Sequence, residues 1–245
     1  MHRTFIIAAT IGLLASSTSQ ADILTGLLHD YTFNGSNAND SAGSNNGSAV
    51  GSPIYGFDAT RGSTVVTVSD NNYIELPNVG TIPTGAAPRT FAIWARVDAW
   101  ENDAGIWHHG ALSSQQDFSL EIGGSQGSMT FNGWFADLNF SGPADTGVWH
   151  HYAITYDGTT LRTYVDGAFV NSQNFALNTA SNIIRLGGQR LNNSQAQLNG
   201  ALDDFRIYNR ALSDSDVNEL FLVPEPGSAI LFALGSLGLV LRRRR

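Results

Sequence analysis

The chain has 245 residues, with 21 acidic residues against 13 basic ones, a formal net charge of −8 and no cysteine. All of the basic residues are arginine, since the sequence contains no lysine. Disulfides, thiol catalysis and cysteine-ligated zinc are excluded, as are a P-loop and Schiff-base chemistry, which need lysine. So acidic a chain also argues against a nucleic acid partner, because phosphates bind clustered basic groups.

The first segment, residues 1–21, has the layout of a signal peptide. Arg3 is followed by an apolar run over 5–15 and then by small polar residues that end in Ser19-Gln20-Ala21. A small residue at both ends of this tripeptide is typical of a cleavage site. We therefore predict export and a mature chain that begins at Asp22.

Short apolar segments rich in β-branched and aromatic residues follow between residues 24 and 208, and Gly, Asn, Asp or Pro bounds them. Several of these segments alternate apolar and polar residues with period two, as half-buried strands do. Many short strands with regular turn signals are typical of a sandwich. The sequence therefore predicts an all-β fold, an antiparallel β-sandwich of the jelly-roll type, with strands that include 64–68, 73–76, 90–97, 118–122 and 182–186.

The clearest local unit is a hairpin around the Asp-Gly pair at 166–167. Asp-Gly favours a two-residue type I′ turn, whose twist matches that of the flanking strands. This register predicts that Tyr164 lies opposite Phe169 and that Thr163 lies opposite Val170, which are favourable cross-strand pairs.

One short helix is predicted near the end of this domain, over residues 213–221. Ser213 followed by Asp216 resembles a capping box. A helix of about two turns is not stable alone, so it must dock on the sheet. Its apolar face consists of Val217, Leu220 and Phe221.

Several segments together resemble the laminin-G-like, concanavalin-A-like jelly roll. They are, in chain order, 31–35, 40–43, 90–96, 149–158, 161–167 and 200–213. The resemblance spans residues 22–222, which we take as one domain. It implies that this domain binds carbohydrate or protein, and it implies a structural calcium ion, because many members of the family hold one.

Four aspartates are the candidate ligands for this calcium ion. Asp203 and Asp204 lie in the segment that resembles the last core strand of the family. Asp30 and Asp40 lie near the first strand, and they could approach the last one because first and last strands often pair in a jelly roll. Calcium prefers carboxylate and carbonyl oxygens. The alternative is that Asp204 bonds structurally to the backbone or to Arg206.

The tryptophans divide into a core group and a candidate ligand-binding group. Trp94 and Trp149 fall in strands that resemble core segments of the family, so we expect them to be buried. Trp100, Trp107 and Trp134 lie at strand ends or in Gly/Asn-rich stretches, where an exposed ring can stack on a sugar. The alternative is that these three rings only cover the edge of the sandwich.

Motifs for catalysis are weak. Glu101 and Asp103 lack the third alternate carboxylate that glycosidases of this fold use. The G-x-S-x-G match at 123–127 precedes a predicted strand rather than a helix, so it is a hairpin connection. Adjacent histidines at 108–109 and 150–151 point to opposite faces of a strand. We therefore expect a non-catalytic protein, with a diverged glycosidase or lyase as the alternative.

The last segment, residues 223–245, combines a Pro-Glu-Pro break, an apolar run over 228–241 and a basic end. The run is shorter than the roughly 20 residues that a membrane-spanning helix needs. This order of parts resembles the PEP-CTERM sorting signal of Gram-negative bacteria. The resemblance implies transient membrane insertion and processing by an exosortase, with a signal formed by Pro224, Glu225, Pro226, Arg242, Arg243, Arg244 and Arg245.

Without residues 1–21 and the final arginines, 8 arginines face 21 acidic residues, which gives a net charge near −13. We therefore expect an exported module of the cell surface or extracellular matrix that binds a glycan or a surface protein. A purely structural matrix protein is a further alternative.

Overall fold

A computed structural model describes residues 23–77, 80–188 and 196–222, which form two antiparallel sheets that face each other. The predicted signal peptide (1–21) and sorting segment (223–245) lie outside the described residues. The predicted all-β sandwich with one short helix is confirmed. Within the described ranges, no helix is long and apolar enough to cross a membrane.

The sheet that carries the helix, called here the back sheet, has eight strands. Seven of them follow the order β13-β12-β11-β6-β15-β4-β3, and β1 pairs with β15 as well. The strands are β1 (Leu27–Tyr31), β3 (Ile54–Asp58), β4 (Ser63–Val68), β6 (Arg89–Ala99), β11 (Trp149–Tyr156), β12 (Thr160–Val165), β13 (Ala168–Asn174) and β15 (Asn199–Tyr208).

The opposite sheet, called here the front sheet, has seven strands in the order β10-β9-β8-β7-β14-β5-β2. They are β2 (Ser48–Val50), β5 (Tyr73–Leu76), β7 (Gly105–His109), β8 (Ser119–Ile122), β9 (Ser128–Asn132), β10 (Leu138–Ser141) and β14 (Ile184–Leu186).

The core lies between the two sheets, because alternate residues of each strand point inward. Phe91 of the back sheet meets Phe118 edge-to-face, with ring centroids 5.1 Å apart. Phe118 makes the same kind of contact with Phe131, at 5.2 Å. Such aromatic pairs add about 0.5–1.5 kcal/mol beyond the area that they bury.

The hairpin at residues 166–167 forms as predicted, apart from one shift of register. Asp166 and Gly167 both have positive φ, at 49° and 76°, as a type I′ turn requires. Tyr164 pairs with Phe169, which confirms that part of the prediction. Thr163 pairs with Asn171 instead of Val170, because a bulge follows Thr163. The extra residue of a β-bulge displaces every later pair by one.

The helix α1 (Asp214–Leu222) begins with the predicted capping box. The hydroxyl of Ser213 accepts a hydrogen bond from the Asp216 amide at 3.2 Å, and the Asp216 carboxylate accepts one from the Ser213 amide at 3.1 Å. Two backbone donors at the helix start are therefore satisfied.

The same helix packs on the outer face of the back sheet, as its apolar face predicted. Val217 and Leu220 are fully buried in a small cluster with sheet residues. Phe221 is half-buried and stacks on Trp94 of β6, with ring centroids 5.5 Å apart. The helix therefore covers part of the outer face of the back sheet.

Strand β15 contains a bulge at its centre. On one side β15 pairs with β6, and on the other its first half pairs with β4 and its second half with β1. The pairing with β6 shifts register between Asp203 and Arg206, and Asp204 has a φ of 48°. The two aspartates therefore lie where β15 changes its pairing partner from β4 to β1.

Candidate functional site

The structure brings the predicted calcium ligands Asp203 and Asp204 together around an arginine. Nε of Arg61 lies 3.0 Å from Oδ2 of Asp203, and Nη2 lies 3.0 Å from Oδ2 of Asp204. Ser63 donates a hydrogen bond of 2.6 Å to the same Asp203 oxygen. Burial and the Asp204 carboxylate raise the pKa of Asp203 to about 7, while Ser63 and Arg61 act in the opposite direction. The guanidinium thus occupies the space between the two carboxylates.

A second arginine joins the first strand to this cluster. Strand β1 pairs with β15, as the prediction for Asp30 required, and Asp30 lies opposite Arg206. Nε of Arg206 lies 3.1 Å from Asp30, and its Nη2 lies 3.5 Å from Asp204. The Asp40 carboxylate accepts a hydrogen bond from the backbone amide of Asp30 at 3.1 Å and bonds His29, with Nδ1 2.7 Å from its Oδ2.

These four aspartates do not fit a calcium site. Three of them face guanidinium groups, which repel a cation, and Asp40 accepts hydrogen bonds from His29 and from backbone amides. Among residues 23–77, 80–188 and 196–222, no group of three or more His, Cys, Asp or Glu is arranged to hold a metal. The alternative, a structural bond between Asp204 and Arg206, agrees with the geometry.

One of the three candidate tryptophans, Trp107, does not present a face to solvent. Trp107 is 0% exposed, and its indole nitrogen donates to the carbonyl of Phe118 at 3.0 Å. It points into the core because its neighbours in β8 and β14, Leu120 and Leu186, also point inward. The expectation for Trp107 is therefore wrong. Trp100 is half-buried and packs against the core.

Trp134 lies with Phe135 at the tip of the β9–β10 hairpin (133–137), called here the hairpin tip. Phe135 is 82% exposed, and its ring contacts the half-buried Trp134 edge-on, with centroids 5.9 Å apart. Both residues have left-handed backbones, with φ of 57° and 64°. This conformation costs a bulky residue about 1–2 kcal/mol, and such strain concentrates at functional sites.

Hydrogen bonds within the hairpin and one from a neighbouring loop hold the backbone of this strained tip. The Trp134 amide donates to the Asn132 side chain at 2.8 Å, and the amide of Gly133 donates to Asp137 at 3.1 Å. From the neighbouring loop, the Gln115 amide donates to the Trp134 carbonyl at 3.0 Å. These bonds fix the backbone that carries the two aromatic side chains.

Below the tip, the outer face of the same hairpin carries only uncharged polar side chains. They alternate with core residues of β9 and β10 and are half-buried or exposed. Thr130 lies opposite Asn139 and donates to its Oδ1 at 2.8 Å. These residues, called here the polar strip, are Ser128, Thr130, Asn132, Asn139 and Ser141.

A groove of about 330 Å³ opens at the base of the polar strip. Phe140 and Val170 supply its apolar lining. The polar lining comes from three strip residues and from Asn171 of β13, which donates to the carbonyl of Asn139 at 3.2 Å. The groove therefore lies where the edge strands of the two sheets meet.

Two buried carboxylates lie in and beside β8 of the front sheet. Asp117 precedes the strand and accepts a hydrogen bond from the Ser119 hydroxyl at 2.6 Å, whereas Glu121 lies within the strand and accepts one from Asn132 at 3.0 Å. Glu101 and Asp103 lie in the loop between β6 and β7. The G-x-S-x-G match connects β8 to β9, which confirms the hairpin interpretation.

The sequence pointed to Trp134 but not to the exposed Phe135 beside it or to the polar strip. A signal was present, since the stretch 128–132 alternates polar and apolar residues, with the polar ones on one face. Phe135 gave no such signal, because its exposure arises from a left-handed turn that no glycine marks.

Two facing antiparallel sheets with a helix on one outer face define a concanavalin-A-like sandwich. Residues 68–218 match the model of the concanavalin A-like lectin/glucanases superfamily, so the chain belongs to this superfamily. Residues 222–245 match the PEP-CTERM protein-sorting motif, which indicates an exported protein of a Gram-negative bacterium. A search of curated proteins found no match.

Solved structures with similar folds include binding domains. Domain 4 of an extracellular arabinanase from Geobacillus stearothermophilus, solved with arabinotriose, matches 79% of this chain and 97% of its own, with 20% identity and a TM-score of 0.66. The botulinum neurotoxin serotype D binding domain matches 83% of this chain with 17% identity and a TM-score of 0.64. The binding domain of Paraclostridial mosquitocidal protein 1 matches 81% with 18% identity and a TM-score of 0.61. The chain spans 52% of each toxin domain.

Proposed function

We propose that this protein is a non-catalytic carbohydrate-binding module of the cell surface or extracellular matrix. The observation that carries the proposal is the hairpin tip, where Phe135 is exposed on a strained backbone beside Trp134. An aromatic face packs against the apolar face of a sugar ring, and it loses little conformational entropy in doing so.

The polar strip supports the same function. Sugars carry many hydroxyl groups, and they need short side chains that both donate and accept hydrogen bonds. Asn132 supplies such groups next to the aromatic tip, and Asn139 and Ser141 supply them further along the hairpin, at the groove. The arabinanase domain has a similar fold and was solved with bound arabinotriose, which supports carbohydrate binding by this chain as an analogy at the level of the fold. The sorting motif would deliver the module to a place where polysaccharide surrounds it.

The proposal is tested by affinity electrophoresis of the purified protein through gels that contain soluble polysaccharides. Phe135→Ala is expected to weaken binding about tenfold or more, as truncation of a central aromatic contact does. The matched control is Phe57→Ala, because Phe57 is 72% exposed on β3 at the far edge of the back sheet. Equal binding by both variants, or no retardation of the wild type by any polysaccharide, contradicts the proposal.

A further inference from the structure

Two carboxylates accept hydrogen bonds from the hairpin tip and the polar strip. Glu121 accepts a hydrogen bond from Asn132 at 3.0 Å, and Asp137 accepts one from the Gly133 amide. The strip itself contains no charged side chain. A negatively charged ligand bound along the strip would therefore be repelled by these carboxylates near the hairpin tip.

The arginines within the described ranges are engaged elsewhere. Each of the seven bonds a carboxylate or a backbone carbonyl away from the strip, and the chain has no lysine to replace them. The partners are Asp203 and Asp204 for Arg61, Pro83 and Gly85 for Arg89, Asp58 and Asp98 for Arg96, Asp214 for Arg162, Glu75 for Arg185, Asp30 and Asp204 for Arg206, and Thr25 and Asp216 for Arg210.

Recognition of an anionic sugar normally relies on arginine, whose guanidinium matches carboxylate and sulfate oxygens. The described part of the site has no such group, and its carboxylates add repulsion. The net charge near −13 expected for the mature chain acts in the same direction over longer distances. A neutral ligand experiences neither the local repulsion nor the effect of the net charge.

We propose, on the basis of the carbohydrate-binding function above, that the ligand is an uncharged glycan chain that lies along the β9–β10 hairpin. One end of the chain occupies the groove beside Phe140 and Asn171, and another sugar ring stacks on Phe135. Ser128 and Asn132, at the two ends of the strip on β9, lie about 13 Å apart at the rise of an extended strand. A single sugar ring does not span this length, so the site takes an extended oligosaccharide.

The groove and the tip act together in this arrangement. The groove offers an apolar lining with amide and hydroxyl groups at its rim, which matches the amphipathic surface of a neutral pyranose or furanose ring. Asn139 uses its Oδ1 to accept from Thr130, and its Nδ2 makes no hydrogen bond within the described residues. This amide is therefore available to a sugar hydroxyl.

The test uses the purified protein and soluble polymers of two kinds. Arabinan, xylan and mixed-linkage glucan are neutral, whereas alginate and polygalacturonate carry a carboxylate on each residue. We expect retention by at least one neutral polymer, with less than about a twofold change between low and high salt, because no charge pair is formed. Oligosaccharides of the retained polymer should gain affinity steeply with length until the chain spans groove and tip.

Two groove variants locate the second contact. Ser141→Trp fills the groove and Asn139→Ala removes its amide, and both are expected to weaken binding about tenfold. Their matched controls, Ser52→Trp and Asn174→Ala, change exposed residues far from the strip or outside the groove lining and should bind as the wild type does. Thermal unfolding of each variant establishes that it folds.

The outcomes separate this inference from the function on which it rests. Tighter binding of alginate or polygalacturonate than of every neutral polymer overturns the inference. So does retention by a neutral polymer that Phe135→Ala abolishes but the groove variants leave unchanged, and in that case carbohydrate binding at the tip still stands. Absence of binding to all polymers of both kinds overturns the function and the inference together.

Discussion

Arg61 holds two buried carboxylates of the back sheet at once, and its guanidinium lies over the ring of Trp94, 4.1 Å from the centroid. Asp203 is 0% exposed, so solvent does not reach its carboxylate to replace the hydrogen bond that is lost with Arg61. A buried ion pair contributes little relative to an apolar core, but breaking one leaves a charge without compensation. Arg61 is therefore expected to be among the residues least tolerant of substitution.

We expect Arg61→Ala to lower the free energy of unfolding by about 3–5 kcal/mol, as removal of one member of a buried pair does. Urea unfolding of both proteins measures this difference. The control is Arg162→Ala, which breaks the exposed pair with Asp214 and should cost no more than about 1 kcal/mol. Equal effects of the two substitutions would contradict the buried-pair interpretation.

The buried histidine His151 couples stability to acid. Burial, with help from Arg206 and Arg61, lowers its pKa from 6.5 to about 3. In the unfolded chain His151 therefore binds a proton as the pH falls below 6.5, whereas in the native state it stays neutral down to about pH 3. Stability from this group is present above pH 6.5 and is lost as the pH falls, by about 1.4 kcal/mol per pH unit.

Asp203 has the opposite pH dependence, because its pKa is raised from 3.8 to about 7 and its contribution is lost as the pH rises. The comparison must therefore be made between the wild type and His151→Phe, which keeps a ring beside Trp94 but cannot take a proton. Unfolding free energies at pH 6.5, 5.5 and 4.5 should fall less steeply with acid in the variant, by about 1.4 kcal/mol per unit. Parallel pH profiles would show that His151 does not titrate in this way.

Sequence predicted the types of buried polar residue but not their partners. The doublet Asp203-Asp204 was visible in the sequence, and so was the alternative of a bond to Arg206. Arg61 was invisible as a partner, because it lies 142 residues from Asp203 in the chain. Only the pairing of β4 with β15 brings the β3–β4 turn to this bulge.

At the scale of elements, the tip of the β9–β10 hairpin is expected to destabilise the fold. The left-handed backbone of Phe135 is strained, and at 82% exposure its side chain contributes little stability by burial. We expect Phe135→Gly to raise the free energy of unfolding by about 0.5–1 kcal/mol, because glycine adopts this conformation without strain but loses more entropy on folding. The same variant should lose polysaccharide binding. A loss of stability in urea unfolding would argue against strain at the tip.

The capping box of α1 gives an element-scale prediction with a conservative control. Ser213→Ala removes the acceptor for the Asp216 amide and should lower the unfolding free energy by about 1 kcal/mol. Ser213→Asp retains an acceptor and should be nearly as stable as the wild type. The effect reaches the whole fold because Val217 and Leu220 bury their side chains against the back sheet. If both variants were equally destabilised, the hydroxyl bond would not be the cause.

Strand and helix positions followed from local patterns, whereas the hairpin tip did not. Tyr73–Leu76 has the predicted bounds, and the pairing of Tyr164 with Phe169 follows from turn chemistry. Local rules suffice there, because period-two burial and an Asp-Gly turn leave one register. The bulge after Thr163 and the positive φ of Phe135 coincide with no glycine and with no other turn signal at those positions, so no local pattern predicts them.

At the scale of the whole molecule, the sandwich lies between two predicted targeting segments, at 1–21 and 223–245. The sorting motif matched at 222–245 begins at the last residue of α1, so sorting information adjoins the folded domain directly. Processing at this junction would leave the helix cap, the helix and both sheets intact. It would also remove four arginines and make the exported protein more acidic.

We therefore expect the protein isolated from the surface of its own bacterium to begin at Asp22 and to lack the arginines at 242–245. Intact-mass spectrometry and terminal peptides measure both ends.

Replacement of Pro224, Glu225 and Pro226 by alanine should block exosortase processing and leave a heavier, membrane-associated precursor, whereas Pro53→Ala in the β2–β3 connection should be processed normally. Recovery of Arg242–Arg245 on the wild-type surface protein would mean that the motif anchors the chain and is not removed. Because the β9–β10 hairpin and the sorting segment are distant in the chain, Phe135→Ala should leave this processing unchanged, which separates delivery from the proposed ligand binding.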